Sequence, residues 1–222
     1  MSLQKISFKV PPGLWESFSK QASGLFLNRA PFLNHMIARE TGELAEDLSQ
    51  SHLSLRAKGH IRGALKMQGA KSVNIEVEQS TAKALNEVVS EANLIRDAFF
   101  CRLIIFLRSS DALLKYLEIP REAGIFGDNL ERMPSSPMRA MEAVRDDPLF
   151  YIRHYVKERW GCGIYAVRLP RELDWAACYI EDKEAPGTKA YKDVQRQSAE
   201  MFELLEAKAF KKSPVLKRRH AK

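Results

Sequence analysis

Cysteine is scarce in this chain. The three present, Cys101, Cys162 and Cys178, share no CxxC spacing, which gives neither a disulfide framework nor a zinc-ligand pattern. His154 taken with Cys162 and Cys178 fits no ligand spacing either, and cysteines beside aromatics serve more often as small buried apolar residues. Long hydrophobic runs are missing too. The most apolar stretch, Ala98 to Leu107, is too short to span a bilayer and contains Arg102. The first residues lead straight into a strand pattern without the features of a signal peptide. No Walker loop, GxGxxG motif or nucleophile elbow occurs. Catalytic residues, metals and cofactors are therefore not expected, no membrane association is expected, and an enzyme is the least favoured class. The expectation is a reduced, cytoplasmic protein. Arg171-Glu172 and Asp146-Asp147 read as surface charges and a helix end, and Trp160 and Trp175 as core.

Acidic residues are absent from two stretches. Ser49 to Lys71 holds Arg56, Lys58, Arg62, Lys66 and Lys71, and Lys208 to the end holds seven basic residues, among them Lys211, Lys212, Lys217, Arg218 and Arg219. The net charge of +7 is thus concentrated in a linker and a tail. Such runs serve solubility or phosphate contact, and the second use suits a nucleic-acid partner.

What the chain does have is a patterned opening. Ile6, Phe8 and Val10 alternate with Lys5, Ser7 and Lys9, the period of a half-buried strand. Pro11 and Pro12 end it and suit the first turn of a helix. That helix carries Leu14, Phe18 and Ala22 on one face and breaks at Gly24. A second helix begins near Asn28, a good N-cap residue, with Phe32, Met36 and Ile37 inward. One strand and two helices cannot satisfy the strand's backbone groups, so the unit needs a partner strand. Shifting the unit by 67 residues supplies one. Ile6 then meets Val73, Phe8 meets Ile75, Val10 meets Val77, Phe18 meets Leu85, Ala22 meets Val89, Arg29 meets Arg96, Phe32 meets Phe99 and Ile37 meets Ile104. One offset aligns a strand and two helices without a gap, which implies an internal repeat.

The unit resembles the ribbon-helix-helix DNA-binding proteins. In that family two copies pair their strands into an antiparallel ribbon that enters the major groove, where outward residues read bases. The resemblance implies a single-chain pseudo-dimer. Its base-reading residues would be Lys5, Ser7 and Lys9 from the first strand and Ser72, Asn74 and Glu76 from the second. Asn28, Arg29 and Ala30 at one helix start, and Arg96 at its equivalent, would meet phosphate. Glu76 can accept from a cytosine amino group but repels phosphate, and Ile95 stands where Asn28 caps the first copy, so the halves are expected to read DNA unequally.

The remaining organisation follows from composition. The fold class is mainly α with a small antiparallel ribbon. Residues 1–48 form the first unit, 49–70 a basic linker broken at Gly59, Gly63 and Gly69, and 71–119 the second unit. Its last helix, apolar on every side, must be covered and is expected to continue through Leu117. Residues 120–207 read as an accessory α-rich domain or a cap on that helix, and 208–222 as a basic tail. Within 120–207 the pattern predicts a loop to Pro137, a helix from Met138 to Arg145, a helix from Pro148 to near Gly161, a strand over Ile164–Leu169 and a last helix from Thr188. The function expected is a bacterial or mobile-element transcriptional regulator that binds specific double-stranded DNA and associates with the nucleoid. Alternatives are an antitoxin-like adaptor that binds a partner protein through residues 120–207, or an accessory DNA-binding protein of plasmid partition or conjugation. Both a monomeric pseudo-dimer and a homodimer are compatible with the sequence.

Overall fold

The computed structural model describes residues 2–119, 147–173 and 177–212, with side chains to residue 205. The expected loop up to Pro137, the helix from Met138 to Arg145, Trp175 and the tail cations Lys217, Arg218 and Arg219 lie outside the described residues, as do the side chains of Lys211 and Lys212. The described chain is mainly helical around one two-stranded sheet.

Strands β1 (Leu3–Val10) and β2 (Lys71–Glu78) pair antiparallel within the one chain. Their alternation decides their faces. Ile6, Phe8, Val10, Ile75 and Val77 are buried and Val73 half-buried, while Lys5, Ser7, Lys9, Ser72, Asn74 and Glu76 are exposed. Helix α1 (Pro12–Gly24) starts on its proline and buries Phe18 and Ala22. Helix α2 (Arg29–Asp47) follows Asn28, whose backbone is extended as a cap requires, although its side chain accepts no capping hydrogen bond. After β2 the same order recurs in α4 (Gln79–Glu91) and α5 (Arg96–Arg108). The two sets meet in one core, where the Phe8 ring stacks on Phe100 with centroids 4.1 Å apart.

The linker departs from its expected broken form. It contains a helix, α3 (Leu55–Met67), that runs through both Gly59 and Gly63. Its start is fixed by Ser54, whose hydroxyl accepts from the Ala57 N–H at 3.0 Å. Ala57, Ile61, Ala64 and Leu65 recur at helical spacing and are buried, while the two glycines fall on the exposed face. Burial of that stripe outweighs a propensity penalty of about 1 kcal/mol per glycine. Gly69 alone ends the helix, in the left-handed region at φ 64°.

A second correction concerns α5. Rather than continuing to Leu117, the chain turns left-handed at Ser109 (φ 42°) and restarts as α6 (Asp111–Tyr116), capped by the Ser110 hydroxyl accepting from the Leu113 N–H. As expected, α5 is buried on nearly every side. Its cover is the segment after α7 (Phe150–Trp160), a helix that ends at left-handed Gly161 as its pattern indicates. Residues 164–169 do not form the expected strand. They turn over α5, with Ile164, Tyr165 and Val167 buried. Among the described residues no neighbouring strand takes their backbone groups. Instead the buried Arg102 guanidinium donates to the Ile164 carbonyl at 2.9 Å and to the Val167 carbonyl. Residues 164–167 are thereby fastened to α5. A short 3-10 turn (Asp182–Glu184) leads to α8 (Lys189–Lys212), whose start is marked by Thr188 accepting from the Tyr191 N–H at 3.1 Å.

Candidate nucleic-acid interface

The exposed face of the ribbon brings together all six candidate base-reading residues. In register, Lys5 faces Glu76, Ser7 faces Asn74 and Lys9 faces Ser72. Facing residues of an antiparallel pair lie on one side of the sheet, with Cβ atoms about 5 Å apart. The ribbon therefore has a polar, neutral centre at Ser7 and Asn74. At one end Lys9 stands beside a serine, and at the other Lys5 is countered by a carboxylate.

The register carries more information than the pairing alone. Ser7, which the 67-residue shift carries onto Asn74, is also the residue that pairs with Asn74. Ile6 pairs with Ile75, the equivalent of Phe8, and Phe8 pairs with Val73, the equivalent of Ile6. Such reciprocal exchange is the contact rule of a two-fold axis. The helices obey the same shift: α1 and α4 correspond at both ends, and α2 and α5 at their starts. Phe26 and its equivalent Asn93 are both left-handed, at φ 55° and 50°. Arg29 donates to the Ser19 hydroxyl at 3.0 Å, and Arg96 donates to Asn86 Oδ1 at 3.2 Å, again the same pair of positions.

The two helix starts are not alike. Around α2, Asn28, Arg29 and Ala30 are exposed, and the first turn holds no acid. Around α5, Ile95 is buried and Asp97 lies in the first turn. Asp97 Oδ1 accepts from the Lys9 backbone N–H at 3.0 Å, so this end already has its anion. Arg96 also donates to the Ser7 carbonyl at 3.1 Å, and its guanidinium lies 5.5 Å from the centre of the Phe8 ring. Arg96 thus clamps β1 onto the second half of the chain. The sequence pointed to Arg96 as a position but gave no signal of this role or of Asp97, because both contacts cross about 90 residues.

The linker cations sit on α3. Arg56, Lys66 and Arg62 are exposed, whereas Lys58 donates from Nζ to Asn93 Oδ1 at 2.6 Å. Asn93 in turn donates to the Leu53 carbonyl at 2.5 Å. Partial burial, and then the nearby Arg62 charge, holds the Lys58 pKa below its usual value. Lys58 therefore fastens α3 to the turn before α5.

A second group of charged residues lies in the seam between α2 and α7. Glu40, fully buried, receives the Tyr165 hydroxyl at 2.9 Å and pairs with Arg153. Arg153 also pairs with Asp147 at 2.6 Å and Glu43 at 3.5 Å, and Arg39 pairs with Asp147 at 2.5 Å. Asp147 is therefore part of a largely buried network rather than the surface charge its sequence suggested. Burial pushes the Glu40 carboxyl up to about 7 against the pull of Arg153 and the Tyr165 hydroxyl. Asp47, further along α2, accepts from the Tyr165 N–H at 3.0 Å, and burial raises its pKa too. Each of these side chains has a partner in the seam, although Asp147 Oδ1 is buried without a hydrogen bond among the described residues, and the network holds the cap on the core.

His154 pairs with Glu158 on α7, Cys162 is half-buried, and Cys101 and Cys178 are buried thiols not joined in a disulfide. Among the described residues, no group of three or more His, Cys, Asp or Glu is placed to hold a metal, and no helix is long and apolar enough to cross a membrane. Trp160 is partly exposed, stacked 5.6 Å from Tyr116, rather than central to the core. No protein-family model, curated protein or solved structure matches the chain.

Proposed function

We propose that the chain is a sequence-specific double-stranded DNA-binding protein, a transcriptional regulator that inserts the β1–β2 ribbon in the major groove as a single-chain ribbon-helix-helix pseudo-dimer. The observation that carries this reading is the two-fold relation of the ribbon. The same shift that aligns the sequence halves also relates the strand register, the helix bounds, the left-handed turns and the arginine hydrogen bonds. A ribbon whose apolar face is buried and whose opposite face is a row of short and basic polar side chains offers donors and acceptors at the spacing of base edges.

The reading includes a direction. Lys9 shares its end of the ribbon with Asp97 at the start of α5, while Glu76 stands opposite Lys5 at the other end, so the two ends present different charges. The target is therefore non-palindromic, with the two half-sites read unequally. Arg56, Arg62 and Lys66 on α3, together with the tail, add phosphate attraction without base discrimination. In this reading the protein works in the cytoplasm, at the nucleoid.

The test is selection of binding sequences from a random duplex pool by the purified chain, followed by titration at two salt concentrations. A single enriched sequence, bound with a steep salt slope and lacking dyad symmetry, is the result expected. Enrichment of no sequence, with binding that depends on salt alone, would remove the base-reading role from the ribbon.

A further inference from the structure

A hollow of about 540 Å³ opens where the chain leaving β1 meets the cap, within the range of about 300–1,000 Å³ usual for small-molecule sites. The start of α1 lines it with Pro11, Pro12 and Leu14, α5 with Ile105, α6 with Leu113 and the cap with Leu173. Leu173 is held in a turn by its N–H, which donates to the Pro170 carbonyl at 2.9 Å. Two charged residues join these apolar walls: Arg108 at the end of α5 and Glu172 beside Leu173.

Arg108 differs from the other cations at the edge of the core. Arg39 and Arg153 are held by acids, Arg96 and Arg102 by carbonyls, and Lys58 by Asn93. Arg108 is half-buried, yet among the described residues it has no hydrogen bond or ion pair. It pairs with neither Glu172 nor Asp111, both of which have interactions of their own. The positive end of α1, whose first turn holds no acid, opens on the same space.

The equivalent junction in the other half of the molecule is built differently. There α2 meets α4 as α5 meets α1 here. Asn34 Oδ1 accepts from the Glu78 N–H at 2.8 Å, and the buried Thr41 hydroxyl donates to the Ile37 carbonyl at 2.6 Å. The 67-residue shift puts Cys101 in place of Asn34, Ile105 in place of Ala38 and Arg108 in place of Thr41, while Pro11, with no N–H, stands for Glu78. Short, locally satisfied polar side chains in one half are replaced in the other by apolar walls and an unpaired guanidinium. The repeat itself does not require that exchange.

We propose that the hollow binds a small amphipathic organic monocarboxylate, with its apolar body against Leu14, Ile105, Leu113 and Leu173 and its carboxylate on Arg108. A guanidinium fork takes a carboxylate through two parallel N–H···O bonds. Glu172 in the lining disfavours a second acidic group on the same ligand. The site is separate from the ribbon and does not depend on what the ribbon binds.

Isothermal titration calorimetry on the full chain at neutral pH is the test. Phenylbutyrate is the probe, with phenylbutanol and phenylbutylamine as its neutral and cationic counterparts. One-to-one binding of phenylbutyrate is expected, with the alcohol about tenfold weaker and the amine weaker still. Arg108→Gln, which removes no contact within the described chain, should keep the circular dichroism spectrum, bring the acid down to the level of the alcohol and leave the alcohol unchanged. Ile105→Trp, which fills the hollow, should abolish binding of both. Met201→Glu/Leu205→Glu, on the exposed apolar side of α8, should change nothing. Failure of phenylbutyrate to bind overturns the proposal, as does equal binding of acid and alcohol. Tighter binding of the amine would make Glu172 the anchor and overturns it too. Loss of binding in the α8 variant, with Arg108→Gln behaving as wild type, would place the probe outside the hollow with the same consequence.

Discussion

Replacing Glu76 by lysine probes the ribbon where its two halves differ most. Glu76 is exposed and stands directly across from Lys5. The substitution exchanges an opposite-charge cross-strand pair for a like-charge one, and each such pair is worth about 0.2–1 kcal/mol. Stability should therefore fall by no more than about 2 kcal/mol, which leaves a folded protein. Binding should move the other way. Two charges 4 Å apart in water interact by about 1 kcal/mol, or fivefold in affinity. Removing a repulsion and adding an attraction thus predicts a gain of about 5-fold to 30-fold for a duplex of arbitrary sequence. The gain must also be salt-sensitive. One extra phosphate contact steepens the log–log slope by about 0.9, so raising salt from 50 to 200 mM should shrink the advantage by about 3.5-fold. Fluorescence anisotropy with a labelled non-cognate duplex at those two concentrations reads both numbers, and urea denaturation reads the stability change. An affinity equal to wild type at both salts would refute the reasoning, because no residue on the outward face of an inserted ribbon can change charge by two without effect.

Other outcomes follow from the same geometry. Lys5→Ala combined with Lys9→Ala should abolish sequence-specific binding while changing the unfolding free energy by under about 0.5 kcal/mol; retained specificity in the selection assay would move base reading to the second strand. Arg102→Met removes two charge-assisted hydrogen bonds to the cap, worth about 1.5–3 kcal/mol each, and should lower the urea-derived stability by about 3 kcal/mol; a loss below about 1 kcal/mol would mean the cap does not depend on this anchor. Deleting the tail after Lys208 should weaken binding to all duplexes alike, with no change in the preferred sequence. The seam between α2 and α7 makes stability depend on pH. The Glu40 carboxyl rises from 4.5 to about 7 on folding, so the native state holds its proton more tightly. Its contribution is complete below about pH 4.5 and is lost as pH rises through 7, by at most about 3 kcal/mol. Subtracting the pH–stability curve of Glu40→Gln from that of wild type should yield that falling difference, and a flat difference would mean that folding leaves the carboxyl's pKa unchanged.

Much of the ribbon was legible because its signals are local. Alternation over Lys5–Val10 and the paired prolines act within a few residues, and the constant 67-residue shift sets two such local patterns side by side; the register itself came from the structure. The errors share a different origin. Gly59 and Gly63 read as breaks when weighed by propensity, yet Ala57, Ile61, Ala64 and Leu65 already stood at helical spacing behind the Ser54 cap; the stripe was visible and should have outweighed the glycines. The alternation of Ile164, Tyr165 and Val167 is equally visible, but whether it makes a strand depends on a neighbour's backbone. Here the neighbour is the Arg102 side chain, 62 residues away in one contact and 65 in the other. The Glu40–Arg153–Asp147 network was out of reach for the same reason, since Glu40 and Arg153 are separated by 113 residues. The clamp made by Arg96 belongs with it: a guanidinium at a helix start looks the same in sequence whether it faces a phosphate or the chain's own carbonyl.

Because β1 and β2 belong to one polypeptide, forming the ribbon is a first-order event. A ribbon assembled from two chains comes apart once the protomer concentration falls below its dissociation constant, so its abundance drops with the square of the protein level. Here α3 and its flanking turns keep the second strand within reach of the first at an effective concentration that dilution cannot lower. Ribbon number therefore tracks copy number in direct proportion, and a compartment holding a handful of molecules holds a handful of complete ribbons.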